Sequence, residues 1–102
     1  ILGRFKKGGR LTLVVLSGIF LDQFGEEEDL GAPRLDILIA GDGIKKSVID
    51  NAVRNLEAQI GKELNYSVLP TKEFLYRLRM RDKFIRDILD YSHEKILNKL
   101  DI

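Results

Sequence analysis

The chain contains no cysteine. That one absence removes disulfides, thiolate metal sites and cysteine nucleophiles together. Its single histidine, His93, argues against a zinc site of ordinary nitrogen and sulfur ligands. Long apolar runs are missing too. Residues 11 to 16, followed after Ser17-Gly18 by residues 19 to 21, are too short to span a bilayer and lack the shape of a secretory signal. The expected setting is cytoplasmic, with no membrane partner. Excess charge of either sign is also lacking: the formal net charge is +1, so any contact with nucleic acid or acidic lipid has to come from a local patch.

What is present is the composition of a soluble globular protein, with 44% hydrophobic and 32% charged residues. A length of 102 residues suits one domain with a core of moderate size. The first residue is Ile1 rather than methionine, so the chain reads as a piece whose upstream part matters for function.

Periodicity lays out the elements. Residues 1 to 9, "ILGRFKKGG", combine glycines and basic residues without a period, and a flexible N-terminal segment is expected there. "RLTLVVLSG" (10 to 18) suits a strand buried on both faces, and "RLDILIAGD" (34 to 42) is a second one. Between them lies a polar loop. The turn "AGDG" after the second strand calls for glycine at positive φ. From 44 to 60 the apolar residues Ile44, Val48, Ile49, Ala52, Val53, Leu56 and Ile60 recur at three and four, which predicts an amphipathic helix stopped by Gly61 as C-cap. "KELNYSVLP" (62 to 70) alternates as a third strand ended by Pro70. Thr71 is then read as the N-cap of a helix burying Phe74, Leu75 and Leu78, and Asp82 as the N-cap of another burying Phe84, Ile85, Ile88 and Leu89. Residues 94 to 100 fit a closing strand or a last helical turn equally well. The expected class is α/β (α+β): a small mixed sheet covered by helices, filling residues 10 to 102 as one domain.

Several stretches carry a functional reading beside a plainer one. "GRFKKGG" has glycines and lysines but not the G-x-x-x-x-G-K-[ST] spacing of a phosphate loop, which leaves a flexible basic segment. The acidic run Glu26-Glu27-Glu28-Asp29 lacks calcium-loop spacing and reads as a solvated loop. The densest basic cluster, with Arg77, Arg79, Arg81, Lys83 and Arg86, is interleaved with Tyr76 and Phe84. Of these, Arg77, Arg79, Lys83 and Arg86 form a candidate phosphate or nucleic-acid patch, partly neutralised by the i, i+4 pairs Glu73 to Arg77 and Asp82 to Arg86. His93, in a polar turn with no recognisable serine and acid partners, reads as a surface side chain.

"LVVLSGIFL", then a loop, then "RLDILIAGD", then a helix running into "EAQIGKELNYSVLPTKEF", resembles the nucleotidyltransferase fold of the polymerase-beta type. It is most similar to the small, degenerate versions attached to helix-turn-helix regions in prokaryotic transcriptional regulators. The resemblance covers roughly residues 10 to 90. It implies a nucleotide pocket at Ser17, Gly18, Arg34 and Asp36, with Ser17-Gly18 in the place of the family's Gly-Ser in reversed order. Asp36 falls on the second acid of the family's metal-binding Asp-x-Asp, and Arg34 stands where the first should be. On the next strand Asn65 and Tyr66 occupy the region of the third acid. Two divalent ions about 4 Å apart are held only by clustered carboxylates, so the resemblance implies no metal, no cofactor and no catalytic residue here.

Asp36 accordingly has two readings. It pairs with Arg34 or caps a backbone group, or it remains in a nucleotide pocket where the Arg34 guanidinium grips phosphate in place of metal. The expected function is a non-catalytic regulatory or interaction domain of a DNA-binding transcriptional regulator, with an upstream DNA-binding domain or partner protein and a nucleotide as candidate partners. The alternatives are an active metal-dependent nucleotidyltransferase, in which Asp22, Asp29 or Asp42 supplies the absent acid, and a toxin-antitoxin component.

Overall fold

The computed structural model describes residues 2–20, 35–90 and 92–102. The Leu- and Val-rich run after Gly9 forms strand β1 (Arg10–Leu16), and the apolar run after Asp36 forms β2 (Ile37–Asp42). These two strands lie side by side in the middle of a four-stranded sheet ordered β3-β2-β1-β4. The flanking strands are β3 (Tyr66–Pro70) and β4 (Glu94–Asn98). Position explains composition. Central strands are covered on both faces and are almost wholly apolar, whereas the two edge strands are half-buried and carry polar residues. Pro70 ends an edge strand, where a missing N–H is tolerated.

β1 runs antiparallel to both β2 and β4, and β2 runs parallel to β3. The sheet is therefore mixed: β2, β3 and β4 all leave it at the end where β1 enters. Helix α1 (Leu2–Lys6) precedes β1, and α2 (Lys46–Ile60) joins the parallel pair. Helices α3 (Thr71–Arg79) and α4 (Lys83–Asp90) follow β3. One side of the sheet packs Val14, Ile37 and Ile39 against Phe5, Ile49, Val53 and Leu56. The other packs Leu13, Val15, Leu38 and Ala40 against Phe74, Ile85 and Ile88. The result is a mixed α/β architecture of sheet between helices, as the element order implied. Among the described residues no helix is long and apolar enough to cross a membrane.

A β-bulge accounts for how β1 serves both faces. Leu11 pairs with Gly41 and Leu13 with Ala40, so Thr12 is an extra residue in β1. Strict alternation would put Leu11 and Leu13 on one face. The inserted Thr12 sends Leu11 to the α2 side and Leu13 to the α3 and α4 side.

The third strand starts at Tyr66 rather than at residue 62, and the elements differ from the sequence reading in four further places. Residues Leu2–Lys6 are helical rather than a loop, because Phe5 is buried against α2 and the Gly8 carbonyl accepts the Lys45 N–H at 2.6 Å. In the "AGDG" turn, Gly41 and Asp42 still belong to β2, and only Gly43 takes positive φ, at 60°. Thr71 is the first residue of α3 and not its cap, since its hydroxyl is drawn into a tertiary contact described below. Residues 94 to 98 are a strand, paired with β1. Elsewhere the local signals hold. Gly61 closes α2 in the left-handed region, with its N–H on the Glu57 carbonyl at 2.8 Å. Asp82 caps α4, accepting the Phe84 N–H at 3.0 Å.

Candidate functional site

Because β1 is antiparallel to β2 while β3 is parallel to it, the end of β1 meets the beginnings of β2 and β3. This brings Ser17, Asp36 and Asn65 together. The Ser17 N–H donates to the Asp36 carbonyl at 2.9 Å, and the Asp36 N–H donates to the Asn65 carbonyl at 2.8 Å. The Asn65 N–H returns the contact, donating to Asp36 Oδ2 at 2.9 Å. Asp36 is only 3% exposed and is the buried charged residue of the described core. Gly18, at φ 56°, opens a single turn of 3₁₀ helix (Gly18–Phe20) in which the Phe20 N–H donates back to the Ser17 carbonyl at 3.1 Å.

Asp36 lies just ahead of the strand and not within it. Its N–H shares the Asn65 carbonyl with that of Ile37, at 3.2 Å, and two donors on one acceptor interrupt the regular ladder. Arg34 is outside the described residues, so its pairing with Asp36 is not placed. Asp22 and Asp29 are outside them as well. Asp42, the third acid considered for the absent position, sits at the opposite end of β2 and cannot join Asp36.

Among the described residues, this end of the sheet offers no donor set for a pair of divalent cations. A two-metal site needs several carboxylates converging on the same space. Here one Asp36 oxygen already holds the main-chain N–H of Asn65. Among the described residues no group of three His, Asp or Glu side chains is arranged to hold a metal ion.

Two cations of the basic cluster of α3 and α4, Arg77 and Lys83, are paired within it. Arg77 Nη2 and Nε both reach Glu73 Oε2, at 2.8 and 3.1 Å, and Arg77 Nη1 lies 4.0 Å from Asp82. The expected Asp82 to Arg86 pair does not form, because the Asp82 carboxylate is turned onto the first N–H groups of α4. Lys83 pairs instead with Asp87 at 2.8 Å. Arg79 and Arg86 remain exposed. His93 is half-buried, its Nε2 lying 3.1 Å from Lys95 Nζ.

Two further polar groupings had no signal in the sequence. At the end where β2 and β3 leave the sheet, the Thr71 hydroxyl donates to Asp42 Oδ2 at 3.0 Å and lies 2.8 Å from the hydroxyl of the bulged Thr12. The Thr12 hydroxyl also reaches the Ala40 carbonyl, as donor, at 3.2 Å, so its one proton is shared between that carbonyl and Thr71. On the α2 side, Tyr66 donates a hydrogen bond to Asp50, which also receives Lys46 at 3.0 Å. The Tyr66 hydroxyl, followed by Lys46, holds the Asp50 carboxyl below its ordinary pKa, and the same bond to Asp50 pushes the Tyr66 phenol upward. A groove of about 740 Å³ runs past Tyr66, Val68, Ile44 and Lys46, but neither Ser17 nor Asp36 lines it.

This arrangement is a mixed α/β sheet in which, among the described residues, one buried carboxylate, Asp36, sits where the end of β1 meets the starts of β2 and β3. No family model, curated protein or solved structure matches the chain.

Proposed function

We propose that this chain is a nucleotidyltransferase-like domain without catalytic capacity, serving as a regulatory or interaction module beside an upstream DNA-binding region. One observation carries the reading. Asp36, the acid that the resemblance places in the metal site, accepts the main-chain N–H of Asn65, the residue at the place of a further acid. A carboxylate used in this way fastens the start of β2 to the start of β3. The sequence adds weight, since Arg34 stands where a first acid would be needed and a guanidinium there repels cations. The convergence of Ser17, Asp36 and Asn65 at one end of the sheet supports the resemblance itself, because those are the positions the family pattern brings together.

Incubation with magnesium and labelled nucleoside triphosphates tests the catalytic half of the reading. No transfer of label above background is expected, either to the chain or to added acceptors. Magnesium-dependent labelling that disappears in Asp36→Asn overturns it. For the regulatory half, a helix-turn-helix pattern encoded directly upstream of Ile1 is the expected finding.

A further inference from the structure

At the opposite end of the sheet a second concavity opens, of about 420 Å³, lined in part by Lys6, Arg10, Thr12, Asp42 and Lys99. The topology gathers these residues from both ends of the chain. Lys6 closes α1, Arg10 opens β1, Asp42 closes β2, and Lys99 follows β4. Thr12 is the bulged residue, and its carbonyl accepts the Lys99 N–H at 2.8 Å, which fixes Lys99 at the rim. Lys6, Arg10 and Lys99 are exposed, and none forms an ion pair among the described residues. Arg10 faces Asp42 in the strand register, yet Asp42 is held by the Thr71 hydroxyl and not by the guanidinium. The Arg10 guanidinium rests against Gly43 instead, 3.5 Å from where a Cβ at that position would be.

We propose that this groove binds a small phosphomonoester, a sugar phosphate or mononucleotide. Three cationic residues line the groove with a single carboxylate, so the local charge favours an anion. A terminal phosphate brings two negative charges and oxygens that a guanidinium grips at two points. Asp42 gives the site its second specificity. Oδ2 is taken by Thr71, whereas Oδ1 accepts no hydrogen bond from a described residue and is suited to sugar hydroxyls. That carboxylate also counts against a nucleic-acid backbone, whose row of phosphates would have to pass it. The volume lies within the range of small-ligand sites. The site is independent of the nucleotidyltransferase reading: it lies about 20 Å away, the length of a six-residue strand, at the far end of β2.

The test is amide-resolved NMR titration of the whole chain with ribose 5-phosphate, AMP, inorganic phosphate and ribose. Saturable shifts at Gly9, Arg10, Thr12, Asp42 and Lys99 are expected with the two phosphomonoesters, weaker ones with inorganic phosphate, and none with ribose. Arg10→Gln with Lys99→Gln lowers the affinity at least tenfold, and Lys6→Gln alone lowers it severalfold. Retained amide dispersion serves as the fold control, with Lys6→Gln deciding if the double variant does not fold. The proposal is overturned by an absence of saturable shifts, by shifts confined to Ser17, Asp36 and Asn65, by equal affinity for inorganic phosphate and ribose 5-phosphate, or by tighter binding of duplex DNA through the same amides.

Discussion

Asp36 and Asn65 hold each other twice: the Asp36 N–H donates to the Asn65 carbonyl at 2.8 Å, and the Asp36 carboxylate accepts the Asn65 N–H at 2.9 Å. The pair joins the start of β2 to the start of β3 just below the first residue pair of the parallel ladder, Ile37 with Tyr66. A residue with this duty contributes to stability whether or not any ligand comes near. Asp36→Ala deprives a main-chain donor of its acceptor and should cost about 1–3 kcal/mol. Asp36→Asn keeps an oxygen in place and should cost less than half as much. Urea unfolding midpoints measure both. Equal stability of wild type and Asp36→Ala would remove the structural role.

Thr71 presents a second case of a polar side chain acting at long range. Its hydroxyl links Asp42 at the end of β2 to Thr12 in the bulge of β1. Thr71→Val keeps the shape but leaves Asp42 Oδ2 without its donor, and a loss of about 1–2 kcal/mol is expected. Thr71→Ser should recover most of it. If the hydroxyl served only as a helix cap, circular dichroism would show the loss confined to α3, with unfolding of the sheet unaffected.

The Tyr66 and Asp50 contact makes a prediction in pH. Asp50 has a lowered pKa in the folded chain, so its contribution is present above the ordinary value of 3.8 and is lost as pH falls through the folded value. Tyr66 is raised, so its contribution is present below 10.0 and is lost as pH rises through the folded value. The stability difference between wild type and Tyr66→Phe should therefore be level across the neutral range and shrink at both extremes. Urea midpoints across that range provide the check, and a difference that is the same at every pH would contradict the contact.

What the sequence disclosed was local. The stripe of α2, the glycine that ends it and the Asp82 cap are encoded within a few residues of where they act, and all three stand in the structure. Helix α1 was not legible because five residues are too few to show a period, and it forms through the burial of Phe5 against α2. Thr71 was misread for a related reason. A threonine ahead of an apolar stripe has the composition of a cap, and nothing nearby in sequence reveals that Thr12 and Asp42 will meet its hydroxyl. The bulge at Thr12 is equally silent, since its neighbours are apolar whichever face they take. As for the sites, Ser17 and Asp36 were singled out through a resemblance, and the antiparallel and parallel pairings bring them to one place. The groove of Lys6, Arg10 and Lys99 draws on both chain ends, a juxtaposition only tertiary structure creates.

In the proposed reading, Asp36 fastens the starts of β2 and β3 and does not help to assemble paired divalent cations. Calorimetric titration of the chain with nucleoside triphosphates, with and without magnesium, tests this most directly. Magnesium is expected to make no difference to whatever nucleotide binding is seen. A saturable heat that appears only with magnesium and vanishes in Asp36→Asn would contradict it.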